Sequence, residues 1–177
     1  ALSVVREKEL GSIVNFYATP VRKMEFLLGK QLPYIVVSLI SFFGLVTFAI
    51  YVFQVPLKGS LFTLTLGVFL YIICTTAIGL FISSFVKTQI AALMGTAILT
   101  FLPTIQFSGL KEPVSSLEGV AQYIGNIFPV TYFINISRGV FSKNVSFSEL
   151  RFEFFVLSIS IFVILYCSYL VLNKQEK

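Results

Sequence analysis

Long uncharged stretches alternate with short charged ones along this chain, and that alternation predicts where its helices begin and end. Four uncharged runs reach the roughly 20 residues that a helix needs to cross the hydrocarbon core of a bilayer. They predict spans near 32–53, 60–86, 89–110 and 154–172. A backbone inside lipid must satisfy its own hydrogen bonds, so helices are the expected spanning elements. The pattern therefore predicts an all-α, polytopic membrane protein with four transmembrane helices.

A fifth uncharged run, 119–137, carries polar residues and is interrupted by Pro129. We interpret it as an amphipathic helical hairpin that enters the outer leaflet and returns, with Phe128-Pro129 at its break. Ser115–Glu118 and Ser146–Glu149 fit capping boxes, which predict where the hairpin and the last span begin. A complete crossing by 119–137 stays open, because it would place nine basic residues inside and four outside.

The N-terminal stretch is amphipathic. Apolar positions recur at helical spacing over 6–18, behind a charged cluster at 6–9. Thr19-Pro20 then fits an N-cap followed by a proline at the first helical position. We expect two short helices that form an elbow on the cytoplasmic face. An anchor on the membrane surface and a docking helix for another subunit both fit this pattern.

Positive charge sets the expected orientation. With four spans and the N-terminus inside, eight basic residues lie on the inner side and five on the outer, which favours that orientation. The expected organisation has four parts. These are a cytoplasmic elbow at 1–31, three transmembrane helices at 32–110, an extracytoplasmic re-entrant hairpin at 111–146, and the last transmembrane helix with a short cytoplasmic tail at 147–177.

Small residues recur every fourth position on two of the predicted spans. The second span carries Thr75, Gly79 and Ser83, and the third carries Ala91 and Gly95. Such spacing allows helices to approach closely inside a membrane. We expect these positions to pack helices within the subunit, with contact between two copies as the alternative.

Composition removes several function classes. Only 12% of residues are charged and mean hydropathy is +0.92, whereas soluble domains carry roughly 25% charged residues. Histidine is absent, and the two cysteines lie inside apolar runs. These features exclude a water-soluble enzyme and a disulfide scaffold, and they indicate no catalytic residue, no metal site, no cofactor held by this chain and no nucleic-acid partner.

The eight carboxylates and all basic residues fall outside the four predicted spans. Ion-coupled transporters usually carry ionisable residues within the membrane, so this distribution disfavours one. A phosphate-binding loop is also missing from the sequence. Any energy for transport must therefore come from a partner, and the N-terminal elbow is the expected place to receive it.

Two motifs remain. The first comprises Arg6-Glu7-Lys8-Glu9-Leu10-Gly11-Ser12, Ala18-Thr19-Pro20-Val21 and Glu25-Phe26-Leu27-Leu28-Gly29-Lys30. The second comprises Phe107-Ser108-Gly109-Leu110, Pro113, Pro129-Val130-Thr131-Tyr132-Phe133 and Arg138-Gly139-Val140-Phe141. Together they resemble the membrane (permease) subunit of ATP-binding-cassette exporters of the type-2 permease class. That family has six spans, so the resemblance implies that this chain contains the last four, with earlier sequence preceding Ala1.

The resemblance implies a subunit that hydrolyses no ATP itself. Two such subunits, identical or different, form the translocation path in the cytoplasmic membrane of a bacterium. Separate ATP-binding subunits use ATP and magnesium and dock below. The residues expected to couple to the ATPase are Arg6, Glu7, Lys8, Glu9, Leu10 and Tyr17. Those expected to shape an extracytoplasmic gate are Ser108, Gly109, Pro113, Pro129, Tyr132 and Arg138.

Two other functions remain as alternatives: a fragment of an ion-coupled carrier or channel, and a membrane scaffold that recruits a cytoplasmic partner without transporting anything. Transport without nucleotide would favour the first, and ATPase binding without transport would favour the second. The sequence identifies no substrate.

Overall fold

The computed structural model describes residues 2–9, 23–110, 113–143 and 145–174. Within these residues the chain is helical and contains no strand. The α-helices are α1 (Leu2–Glu9), α2 (Lys23–Tyr51), α3 (Leu61–Phe85), α4 (Gln89–Phe107), α5 (Val120–Ile127), α6 (Pro129–Arg138) and α7 (Arg151–Lys174). A 3-10 turn at Val114–Ser116 precedes α5, and a π-helical turn at Gly139–Lys143 follows α6.

Four helices of the described chain are long and apolar enough to cross a membrane. They cover Leu27–Tyr51, Leu61–Phe85, Gln89–Phe107 and Arg151–Val171. Each lies within a few residues of a predicted span, so the all-α, four-span class is confirmed. Long apolar runs determine spanning helices because only a helix satisfies its backbone within lipid.

The spanning helices give the molecule two distinct ends. Gly59, just before α3, donates its N–H to Val140 O at 2.8 Å, which places the start of α3 beside α6 and the π-helical turn that follows it. We call this the hairpin end. At the opposite end, which we call the α1 end, α1 contacts α3 and α4. The two sets of polar residues identified in the sequence therefore lie at opposite ends of one bundle.

Helix α3 is the centre of the bundle. It packs against α2, α6 and α7, and its contact with α7 is the most extensive in the molecule. At the hairpin end the buried core contains Val46, Leu64, Ile136, Val140, Leu150, Phe154 and Leu157. A smaller core at the α1 end contains Val4, Leu27 and Leu80.

Helix α2 continues without a break through residues 31 and 32, where the sequence predicts a boundary between elbow and span. Pro33 lies inside it. A proline removes one backbone hydrogen bond and crowds the residue four positions earlier, which here is Gly29. A Cβ atom placed on Gly29 would meet nothing within 4 Å, so the surroundings leave room for this local adjustment. The Thr19-Pro20 junction lies outside the described residues.

Both predicted capping boxes are wrong as helix starts. Helix α5 begins at Val120 behind Gly119, whose φ of 60° favours glycine, and the Ser116 hydroxyl donates to Pro113 O at 2.7 Å in the preceding 3-10 turn. Helix α7 begins at Arg151, two residues after Ser146–Glu149. In both places local backbone hydrogen bonds form a turn first, so the serine does not become the cap.

Candidate functional site

The predicted break at Phe128-Pro129 is present, and its polar groups are satisfied from within the hairpin. Phe128 is extended between α5 and α6, with φ −76° and ψ 123°. The Thr131 hydroxyl donates to Gly125 O at 2.7 Å, and the Tyr132 hydroxyl donates to Asn126 O at 2.5 Å. The last carbonyls of a helix lack partners within that helix. The start of α6 therefore caps the end of α5.

Gly125 sets the distance between α5 and the end of α4. A Cβ atom at this position would lie 2.5 Å from Phe107 O and 2.8 Å from Val114 Cγ1. No residue other than glycine fits there without a shift, since the nearer neighbour is backbone. The hairpin is thus seated directly on the C-terminus of α4.

The end of α4 is closed by residues of the predicted gate. The buried Ser108 hydroxyl donates to Thr104 O, and Gly109 follows with φ 83°, a conformation that favours glycine at the end of a helix. Arg138, at the end of α6, donates from Nη2 to Leu110 O at 3.2 Å. These bonds join the two ends of the gate motif, which are far apart in sequence.

A cavity of about 540 Å³ lies between these elements and the first turn of α7. Four of the six predicted gate residues line it: Gly109, Pro113, Tyr132 and Arg138. Ser108 and Pro129 do not line it and are buried nearby. The wall also contains Asn126, Asn135 and Glu153. We call this space the hairpin cavity.

The hairpin cavity contains opposite charges. Glu153 and Arg138 both line it, and Glu153 Oε2 is enclosed with no hydrogen-bond partner among the described residues. Burial raises the pKa of Tyr132, and the nearby Glu153 carboxylate raises it further. Tyr132 therefore remains a protonated hydrogen-bond donor at neutral pH, as its bond to Asn126 requires.

The α1 end is joined by a carboxylate. Glu9, the last residue of α1, accepts hydrogen bonds from Gln89 N at 2.8 Å and from Gln89 Nε2 at 2.5 Å. Both bonds lower the pKa of Glu9 from its ordinary value, and the bond from the Gln89 side chain has the larger effect. Since Gln89 is the first residue of α4, the carboxylate acts as a helix cap supplied from elsewhere in the chain.

Among the other predicted coupling residues, Arg6 is the one whose side chain the structure describes. Arg6 is exposed on α1. Glu7 and Lys8 belong to α1, but their side chains are outside the described part of the chain. Leu10 and Tyr17 lie outside the described residues altogether. Of this set, the structure places Glu9 in contact with a spanning helix, a position that the charge cluster alone did not indicate.

The small residues on α3 and α4 differ in their surroundings. Thr75 and Gly79 on α3 are half-buried and line a second cavity of about 180 Å³, and Ser83 is fully buried. Ala91 on α4 is exposed, and a Cβ atom on Gly95 would meet nothing within 4 Å. Only the α3 positions face neighbouring helices within the described chain.

The sequence alone assigned no role to Gln31, Gly125, Thr131 or Glu153, although Thr131 lies within the second motif. Gln31 is 2% exposed and donates from Nε2 to Ile73 O at 2.8 Å and Thr76 Oγ1 at 2.6 Å. The sequence signal for Gln31 was its position as a lone amide side chain at the edge of an apolar run, where it can bond a neighbouring helix. Glu153 carried no comparable signal, because its neighbours in the cavity are distant in sequence.

Comparisons with known proteins agree with the fold and the motifs. Residues 1–171 match the family model described as "ABC-2 family transporter protein". "Probable multidrug ABC transporter permease YbhR" of Escherichia coli (strain K12) is 28% identical over 146 residues, covering 82% of this chain and 39% of that protein. "Inner membrane transport permease YhhJ" of the same organism is 28% identical over 158 residues, covering 88% and 41%.

A eukaryotic protein is also similar. "ABC transporter G family member 20" of Dictyostelium discoideum is 27% identical over 179 residues, covering 100% of this chain and 24% of that protein. The chain spans about two-fifths of the length of the bacterial relatives it matches. No solved structure matches the chain.

Proposed function

The chain belongs to the ABC-2 family of transporter proteins, and from this premise we propose that it is the permease subunit of an ATP-driven exporter. In this proposal two permease subunits form the translocation path, and separate ATP-binding subunits drive it from the cytoplasm. The membrane is the cytoplasmic membrane of a bacterium, with the α1 end inside and the hairpin end outside. The four spanning helices and the permease relatives support a multi-pass transport subunit.

The observation that carries the coupling proposal is the contact between Glu9 and Gln89. We place the docking segment for the ATPase at 6–17, which begins in α1. Glu9 joins the start of that segment to the first residue of α4. A displacement of the segment by an ATPase would therefore act on a spanning helix through two hydrogen bonds. In this scheme Glu9 positions α4, and exposed residues such as Arg6 contact the ATPase.

The hairpin supplies the proposed outer gate. Its break is capped by Thr131 and Tyr132, and Arg138 joins it to the segment after α4. Internal hydrogen bonds let such a hairpin sit at a membrane surface without exposing unpaired backbone groups. Since α4 contacts Glu9 at one end and the hairpin at the other, it is the proposed route between the ATPase and the gate.

The first experiment is affinity purification of the permease from native membranes. The proposal expects an ATP-binding subunit to co-purify and expects export by proteoliposomes to require ATP. Two relatives are named as probable multidrug permeases, so amphipathic drug molecules are the first compounds to test. Transport that persists without nucleotide, or an ATPase that never co-purifies, would overturn the proposal.

The second experiment separates docking from transmission. Glu9→Gln keeps the size of the side chain and weakens both bonds to Gln89, so export per ATP hydrolysed should fall while ATPase binding is retained. Arg6→Ala should weaken ATPase binding itself. Glu149→Gln removes an exposed carboxylate at the hairpin end and serves as the matched control. Unchanged coupling in Glu9→Gln would contradict the role given to this residue.

A further inference from the structure

We propose that the hairpin cavity binds a zwitterion: a ligand that carries a primary ammonium group and an anionic phosphate or carboxylate group. The ammonium would lie beside Glu153 and the anion beside Arg138, with Tyr132 of α6 forming part of the wall. The site is separate from the ATPase contact at the α1 end. It does not depend on the proposed transport function.

The ammonium half of the site is argued from Glu153. This side chain lies in the first turn of α7 and lines the cavity. Its Oε2 atom is buried, and no described residue donates a hydrogen bond to it. A buried acceptor without a partner costs free energy, and the cost is larger for a charged group. A donor with several N–H bonds, such as a primary ammonium, removes that cost when it binds beside the carboxylate.

The anionic half is argued from Arg138. Its guanidinium has five N–H donors in a planar fork suited to carboxylate and phosphate oxygens. The bond from Nη2 to Leu110 O, at 3.2 Å, fixes one edge of that fork at the wall of the cavity. A backbone carbonyl neutralises no charge, so the exposed guanidinium keeps its positive charge available to an anion in the cavity, where solvent screens the interaction in part. The amides of Asn126 and Asn135 line the same space and supply neutral polar contacts.

The size and surroundings of the cavity suit such a ligand. Ligand pockets usually enclose about 300–1,000 Å³, and this cavity has about 540 Å³. Phe152 forms part of its wall and is 65% exposed. Tyr123 and Ile127 on α5 expose 72% and 75% of their surface. Apolar surface therefore adjoins the charged cavity at the level where a spanning helix begins.

Two sources can supply this chemistry: the headgroup of an ethanolamine phospholipid, and a free zwitterion such as phosphoethanolamine. The test uses the full-length permease in detergent and measures binding by native mass spectrometry. Short-chain phosphatidylethanolamine should bind at least about tenfold more tightly than phosphatidylcholine, which has no N–H, or phosphatidylglycerol, which has no cation. Competition by free phosphoethanolamine would identify a site for zwitterions from either source. Lipid binding without competition would identify a headgroup site.

Glu153→Gln and Arg138→Gln should each weaken phosphatidylethanolamine binding by at least about tenfold. Glu149→Gln and Arg151→Gln are the matched controls, because both residues are exposed near the start of α7 and neither lines the cavity. The melting temperature without added ligand gives a second readout. Glu153→Gln should leave it unchanged or raise it, since the substitution removes a charge whose Oε2 has no partner.

Three results would overturn the proposal. The first is equal binding of the three headgroups by the unaltered protein. The second is unchanged phosphatidylethanolamine binding in Glu153→Gln. The third is a lower melting temperature of the ligand-free protein in Glu153→Gln, because the carboxylate would then serve a contact within the chain and not a ligand.

Discussion

Helices α3 and α4 are both apolar spanning segments, yet they occupy opposite environments. Their most apolar windows have mean hydropathies of 2.2 and 1.7, and 44% of the window in α3 is buried within the chain against 6% in α4. The more buried helix carries Thr63, Gly67, Ser83 and Ser84 among its buried positions. Lipid tails are as apolar as leucine, so small and polar residues mark helix contacts better than hydropathy does.

The two helices are also attached differently. Helix α3 is packed along its length, against α7, α2 and α6. Helix α4 is held near its ends. Glu9 binds Gln89 and Ala92 is fully buried at one end, while Gly125 abuts Phe107 O at the other. Its middle exposes Ile98, Leu99 and Phe101. We therefore expect substitutions that disrupt the packing of α3 to impair folding. Substitutions at either end of α4 should instead impair communication between the α1 end and the hairpin end.

The largest expected effect comes from comparing a leucine of α7 in the core around α3 with an exposed leucine of α4. Leu157 on α7 is 0% exposed and belongs to the core that includes Leu64 of α3. Leu157→Ala should lower the free energy of unfolding by about 2–5 kcal/mol because it leaves a cavity. Leu93→Ala on α4, where the side chain is 51% exposed, should change it by less than about 0.5 kcal/mol. Reversible denaturation in micelles measures both, and equal losses would contradict the comparison.

A slightly smaller effect should come from the contact between the hairpin and α4. Gly125→Ala places a methyl group 2.5 Å from a backbone oxygen that has no rotamer to change. We expect a loss of about 3 kcal/mol, at the upper end of typical overpacking costs, or displacement of the hairpin. Gly44→Ala, where a Cβ atom meets nothing within 4 Å, is the control. Comparable melting temperatures for the two variants would show that the hairpin is not seated as described.

The glycines of the two helices should respond oppositely to the same change. On α3, a Cβ atom at Gly67 would lie 2.9 Å from Ile136 Cγ2, so Gly67→Leu should cost about 1–3 kcal/mol. On α4, Gly95 faces open space. Gly95→Leu should gain up to about 1 kcal/mol from helix propensity. Thermal melting of the two variants in micelles compares them directly, and a loss in Gly95→Leu would indicate that this face is covered, as by a second copy.

The smallest effect concerns pH at the α1 end. The lowered pKa of Glu9 means that its carboxylate favours the folded contact above its ordinary pKa of 4.5, and that this contribution is lost as pH falls through the lower folded value. Carbon NMR of the Glu9 carboxyl should give a titration midpoint below 4.5. In Gln89→Leu the midpoint should move up, because the side-chain hydrogen bond that lowers the pKa most is gone. An unmoved midpoint would exclude that bond as the cause.

The sequence predicted the positions of the helices more accurately than the contacts between them. Charge-free runs located the four spans, and Phe128-Pro129 located the break between α5 and α6, because both signals are local. The capping boxes failed, since turns at 113–116 and 146–150 used the same residues for other hydrogen bonds. Glu9 carried a clear signal of charge in the sequence, and only the approach of Gln89, 80 residues away, showed what its carboxylate binds.

The sequence by itself determined the four apolar spanning helices found among the described residues, and its motifs carried the resemblance to the type-2 permease class. It could do so because apolar run length, prolines and short motifs are properties of neighbouring residues. The tertiary structure decided which spanning helix is buried, where Gly125 allows close approach, and that Arg138 and Glu153 share one cavity. Those outcomes depend on helix packing between distant segments, and hydropathy does not encode that packing when lipid and protein are equally apolar.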